Sequence, residues 1–199
     1  MSNLFVDLYS LWQAAYSRKA LVSFDQLSSA MLLLIANLDA YLASHESFLL
    51  GRWLQGAQDW ATSDSERALY EYNARNQITL WGPDGQIEDY AAKNWAGLLG
   101  GYYSQRWQLL IKSLSAALEG GFEFDQEVYD AAELQIGKSF CEDLSPFPTG
   151  PIGHTYELST TMQALYGATY ESAYDVYSDM DVPGMNLLEQ GAWTKVNPF

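Results

Sequence analysis

Residues 70–98 read YEYNARNQITLWGPDGQIEDYAAKNWAGL, and this stretch decides the fold prediction. It begins with helical character, breaks at Trp-Gly-Pro-Asp-Gly over residues 81–85, and regains helical character near Glu88. Pro83 presets φ for the second position of a turn, and Asp84 and Gly85 suit the positions that follow it. The stretch therefore predicts two helices joined by a short loop.

The loop concentrates side chains that can bind a ligand. Two aromatic residues, Trp81 and Tyr90, stand among amides and carboxylates at Asn73, Asn76, Gln77, Asp84 and Asp89. Binding residues are frequent on loops that rigid elements hold in place. The residues alone leave two interpretations open: a binding loop, or a helix–loop–helix corner in which Trp81 fills the core.

Apolar residues recur at helical spacing on both sides of this loop. The pattern predicts helices over residues 3–18, 23–44, 44–60, 63–80, 88–118 and 125–140. Capping boxes are predicted at Ser23 with Gln26 and at Ser63 with Glu66, and Gly120-Gly121 is a typical helix stop. The prediction is an all-α fold, an antiparallel array of five or six helices, with residues 1–143 as one domain.

Three glycines lie inside the predicted helix over residues 88–118, at Gly97, Gly100 and Gly101. Each costs a helix about 1 kcal/mol relative to alanine. We therefore expect another part of the chain, or a ligand, to approach the backbone closely there.

Beyond residue 143 the composition changes. Residues 144–153 are punctuated by proline and glycine, and residues 155–199 are rich in Ser, Thr, Tyr, Asp and Gly, with Lys195 as the single positive charge. Residues 162–177 favour only a weak helix. The sequence predicts a poorly ordered acidic tail over residues 144–199.

Charge and composition exclude several classes of function. The formal net charge is -15 and the pI is near 4.2, which argues against binding to nucleic acid or to an anionic membrane surface. The apolar run Ala30–Ala36 is far shorter than the roughly 20 residues that span a bilayer. Two histidines and one cysteine, far apart, supply no zinc ligand set, so no metal site and no cofactor are predicted.

An ordered series of motifs carries a resemblance to a known family. It comprises Phe48–Leu54 (FLLGRWL), Asn73–Pro83 (NARNQITLWGP), Asp89-Tyr90-Ala91, Lys93, Trp95–Leu98, Tyr102-Tyr103 and Arg106-Trp107. At these spacings the chain resembles the C-terminal helical domain of the α-N-acetylglucosaminidases over roughly residues 20–140. These glycoside hydrolases remove terminal α-linked N-acetylglucosamine.

The resemblance implies that catalysis and part of substrate binding lie on different domains. In the family both catalytic glutamates lie on a barrel domain that precedes the helical domain, so no catalytic residue is predicted in this chain. The helical domain adds one wall of the sugar pocket, which would place Trp81, Ile87 and Tyr90 in substrate binding. Arg75 and Arg106 would hold the loop through helix-terminal or carboxylate contacts. The implied partners are the catalytic barrel and a terminal α-N-acetylglucosamine of a glycan.

The start of the chain has no basic segment and no cleavage site typical of a signal peptide. Full-length relatives are lysosomal, vacuolar or secreted, so the resemblance implies an amino-terminally incomplete chain that would be inactive alone. The alternative is a free-standing, non-catalytic helical module that binds a protein or glycan partner.

Overall fold

A computed structural model describes residues 2–178, and the side chains of residues 4–166. The described chain is all-helical, as predicted, and its seven helices exceed the predicted five or six by one or two. They are α1 (Ser2–Ser17), α2 (Leu21–Leu42), α3 (Leu50–Gln58), α4 (Asp64–Gln77), α5 (Ser104–Gly120), α6 (Gln126–Glu142) and α7 (Thr155–Ser178). A 3₁₀ turn, Glu46–Phe48, precedes α3, and a π-helical turn, Leu99–Tyr103, leads into α5.

The core is built around Trp12, which is fully buried between α1, α2 and α5. Its indole nitrogen donates to the Ser28 hydroxyl at 2.8 Å, so the one polar atom of the ring is satisfied. Phe24 stacks on it at 5.0 Å between ring centroids, and Trp107 meets it edge-on at 5.9 Å. This aromatic cluster fixes α5, which carries Arg106, against the first two helices.

By length and composition alone, α2 could cross a membrane. In this structure it is a core helix that packs against α1 and α5, burying Phe24, Met31, Leu34 and Ile35. Core helices pass the same compositional test, so the finding carries no assignment to a membrane.

Helix ends agree with the predicted caps in part. Ser63 accepts a hydrogen bond from the Glu66 amide, Asp125 accepts from the Glu127 and Val128 amides, and Gly121 ends α5 with φ 66°. The predicted cap at Ser23 is wrong, because α2 begins after Ala20 without a side-chain cap. The third helix is also shorter than predicted, since the chain first forms the 3₁₀ turn that the His45 imidazole caps.

The segment after α6 packs back onto the helices. Phe147 lies so close to Gly97 that a Cβ there would be 2.7 Å from its ring, and the Pro148 carbonyl leaves no room for a Cβ at Gly51. The segment then leads into α7, which contacts α2 through a hydrogen bond from the Asn37 amide to the Tyr166 hydroxyl. The predicted low-order tail therefore contains a helix over Thr155–Ser178, and residues 179–199 lie outside the described residues.

Candidate functional site

The loop that follows α4 is longer than the sequence predicts. No helix begins near Glu88, because helical backbone resumes only at Leu98. Trp81 and Asp89 both have left-handed backbone, with φ 49° and 60°, and neither conformation fits a right-handed helix. Helical backbone resumes where the Asp39 carboxylate accepts hydrogen bonds from the amides of Gly97 (2.7 Å) and Gly100 (2.9 Å). The predicted close approach at the glycines is thus made by Asp39 and Phe147.

The last turn of α4 anchors the first half of the loop. Asn76 accepts from the Trp81 amide through its main-chain oxygen (2.7 Å), and its side chain pairs with Gly82 in both directions (2.8 and 3.0 Å). The Asp89 amide donates to the Thr79 carbonyl at 2.9 Å, which closes the loop onto the same helix end. These hydrogen bonds hold Trp81 in its left-handed backbone conformation.

The structure brings Trp81 and Tyr90 together at the surface. Their ring centroids lie 5.1 Å apart in an edge-to-face arrangement with an interplanar angle of 62°. Trp81 is half-buried, Tyr90 is 75% exposed and Ile87 is 45% exposed. Leu80, fully buried against Gly137, takes the core position that the corner interpretation gave to Trp81.

Arg106 of α5 anchors the second half of the loop. Its guanidinium donates to both carboxylate oxygens of Asp89 at 2.9 and 2.7 Å and lies 3.8 Å from Glu88. The same guanidinium contacts the Glu133 carboxyl of α6. The hydroxyl of Tyr102 donates to Glu88 at 3.0 Å, and that of Tyr103 donates to Asp89 at 3.1 Å. Arg106 therefore holds the loop through carboxylate contacts, the role implied by the family resemblance.

Burial shapes the ionisation of this cluster. It raises the pKa of Glu133 to about 8, with Glu88 and Asp89 adding to the increase and Arg106 opposing it. Burial also raises the pKa of the Tyr102 and Tyr103 hydroxyls, which therefore act as neutral donors. Glu133 could not be recognised from the sequence, because it lies 27 residues after Arg106 on a different helix.

Arg75 secures the helix from which the loop emerges. Its fully buried guanidinium donates to the Glu71 carboxylate at 2.6 and 3.0 Å. It also donates to the carbonyls of Phe140 and Ser145, and it lies 5.1 Å from the ring centroids of Phe140 and Phe147. Arg75 and Arg106 thus both support the loop from inside the protein.

A separate groove of about 650 Å³ lies between α3 and α4. Its lining combines aromatic and polar side chains, among them Arg52, Trp53, Trp60, Tyr70, Asn73 and Gln77. None of its lining residues comes from residues 81–90, so this groove is distinct from the Trp81–Tyr90 surface.

Comparison with known proteins agrees with these features. Residues 1–164 match the family model described as the Alpha-N-acetylglucosaminidase (NAGLU) C-terminal domain. The chain belongs to this family. It is 38% identical over 158 residues to the human alpha-N-acetylglucosaminidase, a match that covers 77% of this chain and 21% of the human protein.

Solved structures give the same result for the fold. An enzyme from Clostridium perfringens in complex with its substrate GlcNAc-alpha-1,4-galactose superposes with a TM-score of 0.72 at 26% identity, covering 81% of this chain and 19% of that one. A family 89 glycoside hydrolase from the same organism, in complex with 2-acetamido-1,2-dideoxynojirmycin, gives a TM-score of 0.70 at 27% identity and covers 82% and 20%. The chain therefore spans about a fifth of the length of these relatives, and it is the C-terminal domain of an α-N-acetylglucosaminidase-like glycosidase.

Proposed function

We propose that this domain forms one wall of a pocket for terminal α-linked N-acetylglucosamine, and that Trp81, Ile87 and Tyr90 make up that wall. The observation that carries the proposal is the edge-to-face pair of the half-buried Trp81 and the exposed Tyr90, on a loop anchored at both ends. A loop fixed in this way offers a preformed surface, which lowers the entropic cost of binding.

The chemistry of a sugar suits this surface. A pyranose has an apolar C–H face and polar hydroxyls at its edge, so it packs on aromatic rings and hydrogen-bonds beside them. Trp81 and Ile87 offer apolar contact, and the phenol hydroxyl of Tyr90 can donate or accept a hydrogen bond. The Clostridium perfringens relative solved with its substrate supports a glycan as the ligand class.

Catalysis itself is proposed to come from a barrel domain that packs against this one. Hydrolysis needs two carboxyl groups across the glycosidic bond, about 5 Å apart for retention and up to about 9.5 Å for inversion. The acidic residues nearest the proposed wall, Glu88 and Asp89, already contact Arg106 and accept hydrogen bonds from tyrosine hydroxyls. We therefore expect the purified chain to release no N-acetylglucosamine from an α-linked aryl glycoside. Enzyme-dependent release by the chain alone would overturn this part of the proposal.

Large apolar side chains on the described surface suit the docking of such a domain. Val6, Val22, Leu33, Phe48 and Trp60 are each at least 42% exposed. Isolated chain should self-associate or bind a hydrophobic dye, because exposed apolar surface favours both. A monomeric, dye-silent protein at high concentration would favour the alternative of a free-standing module.

The pocket wall can be tested in a chimera that joins the barrel of a family enzyme to residues 1–164 of this chain. Removing the indole in Trp81→Ala should lower kcat/KM for an α-N-acetylglucosaminide by about tenfold or more, since burying an aromatic side chain contributes roughly 1.5–3 kcal/mol. Tyr90→Phe should cost about threefold to tenfold, the value of one hydrogen bond.

Two exposed aromatic residues outside the loop provide matched controls. Phe122 is 60% exposed and Tyr156 is 83% exposed, so Phe122→Ala and Tyr156→Phe should leave kcat/KM unchanged. The melting temperature of all four variants should stay close to that of the parent. Unchanged turnover in Trp81→Ala, or a stability loss of about 3–5 kcal/mol typical of a buried aromatic residue, would refute the wall assignment.

A further inference from the structure

Two residues with inward-facing carboxylates lie between the exposed residues of the proposed wall. Ile87 and Tyr90 flank Glu88 and Asp89 in the sequence, and the two acidic side chains turn toward α5 and α6. Their side chains are only 24% and 8% exposed. Whatever holds these carboxylates therefore also sets the position of Ile87 and Tyr90.

The charges around these carboxylates do not balance when all groups are ionised. Glu88, Asp89 and Glu133 surround a single cation, Arg106, and the Glu133 side chain is only 7% exposed. The other titratable groups that face the cluster are Tyr102, Tyr103, Tyr129 and Asp130. A fully ionised cluster would carry two uncompensated negative charges in a poorly solvated site, which is strongly unfavourable.

A single proton removes much of this imbalance. Glu133 is the least exposed of the three carboxyl groups, so it gains most from being neutral. One carboxylate fewer then competes for Arg106, and Asp89 keeps its two-oxygen contact with the guanidinium. Protonation of Glu133 therefore lowers the excess negative charge of the cluster from two to one, and loss of the proton restores the repulsion among the three carboxylates.

We propose that a proton on Glu133 is a structural component of the loop, and that Glu133 and Arg106 are positioning residues for Ile87 and Tyr90. The loop is held closed while this proton is bound and loosens when it dissociates as the pH rises. The effect on sugar binding rests on the proposed function, but the loop transition itself does not. Burial raises the pKa of Glu133 to about 8, which supports a proton bound at neutral pH and lost above it.

Hydrogen exchange of the full chain tests this transition. Amide exchange in a peptide covering residues 82–97 is compared at pH 6 and pH 8.5, with exchange times scaled for the intrinsic pH dependence and a peptide from α4 as internal reference. Protection of the loop should fall by at least about tenfold over this interval, because closure that requires one bound proton weakens by up to tenfold for each pH unit between the ordinary glutamate pKa and the raised one.

Two substitutions on α6 separate the proton from other effects. Glu133→Gln keeps the shape of the protonated side chain and cannot ionise, so its loop should stay protected at both pH values. Glu127→Gln makes the same change at an exposed position of the same helix and should behave like the parent. A pH-dependent loss in Glu133→Gln equal to that of the parent, or no loss in the parent, would overturn the proposal.

A direct titration of the parent chain needs no variant. The side-chain carboxyl ¹³C resonance of Glu133 should titrate with a midpoint between about 7 and 9, well above the ordinary glutamate value of about 4.3. A midpoint in the ordinary range would refute the bound proton even if Glu133→Gln failed to fold. No sugar is present in either experiment, so their outcome is independent of whether Trp81 and Tyr90 bind N-acetylglucosamine.

Discussion

Replacing Arg75 by methionine should destabilise the domain far more than replacing any surface arginine. The guanidinium is fully buried and makes four hydrogen bonds, two to Glu71 and one each to the carbonyls of Phe140 and Ser145. Methionine preserves much of the apolar contact with the two phenylalanine rings but leaves Glu71 buried without its cation.

The magnitude follows from the groups that lose their partner. Removing one member of a buried ion pair costs about 3–5 kcal/mol, because an uncompensated charge stays in a poorly solvated site. Each carbonyl that loses a donor adds about 1 kcal/mol at most. We therefore expect Arg75→Met to lower the free energy of unfolding by at least about 3 kcal/mol.

Equilibrium urea unfolding followed by helical circular dichroism measures this loss. Arg67→Met on the exposed face of α4 is the matched control and should change stability by less than about 0.5 kcal/mol. The double variant Glu71→Leu/Arg75→Met removes both charges and should be more stable than Arg75→Met alone. A loss below about 1 kcal/mol for Arg75→Met would show that the buried ion pair does not hold α4 in place.

Two further predictions concern stability. Glu133 has a folded-state pKa of about 8 against an ordinary value of 4.5, so its contribution is fully present below pH 4.5 and is lost as the pH rises through 8. The free energy of unfolding should fall by about 2 kcal/mol between pH 6 and pH 8 in the parent and stay constant in Glu133→Gln. A constant free energy of unfolding in the parent would contradict this prediction. Gly51→Ala would place a Cβ against the Pro148 carbonyl, where there is no room for it, and should cost about 1–3 kcal/mol in urea unfolding. Gly56→Ala on the same helix has no atom within 4 Å and should be neutral or stabilising, and equal effects at both glycines would refute the packing argument.

Much of the fold could be predicted from local sequence. Apolar spacing predicts α1, α2, α4 and α6 within a few residues, because each helix buries one face against its neighbours. The helix ends at Ser63, Asp125 and Gly121 were predictable as well, since a side-chain oxygen or a left-handed glycine satisfies the end of a helix locally. Residues 155–178 were harder, because their composition is polar and α7 depends on contacts with α2.

The conformation of the loop over residues 82–97 could not be predicted from local sequence patterns. Apolar residues such as Trp95, Leu98 and Tyr102 continue a helical spacing through this region, which favoured a helix from Glu88. The backbone instead follows its anchors, Arg106 and Asp39, which lie 17 and 58 residues from Asp89 and Gly97 in the chain. Hydrogen bonds to distant groups outweighed helix propensity, whose differences are below about 1 kcal/mol per residue.

The sequence by itself determined the all-α class, the positions of several helices and, through its resemblance to the α-N-acetylglucosaminidase domain, the residues of the candidate wall. Those properties reside in local spacing and in motifs that can be read along the chain. Only the tertiary structure decided that Leu80 fills the core while Trp81 meets Tyr90 at the surface. It also decided that Glu88, Asp89 and Glu133 share one arginine. The energy of a buried charge depends on which groups surround it in space, and residues on a loop and two helices meet there only after folding.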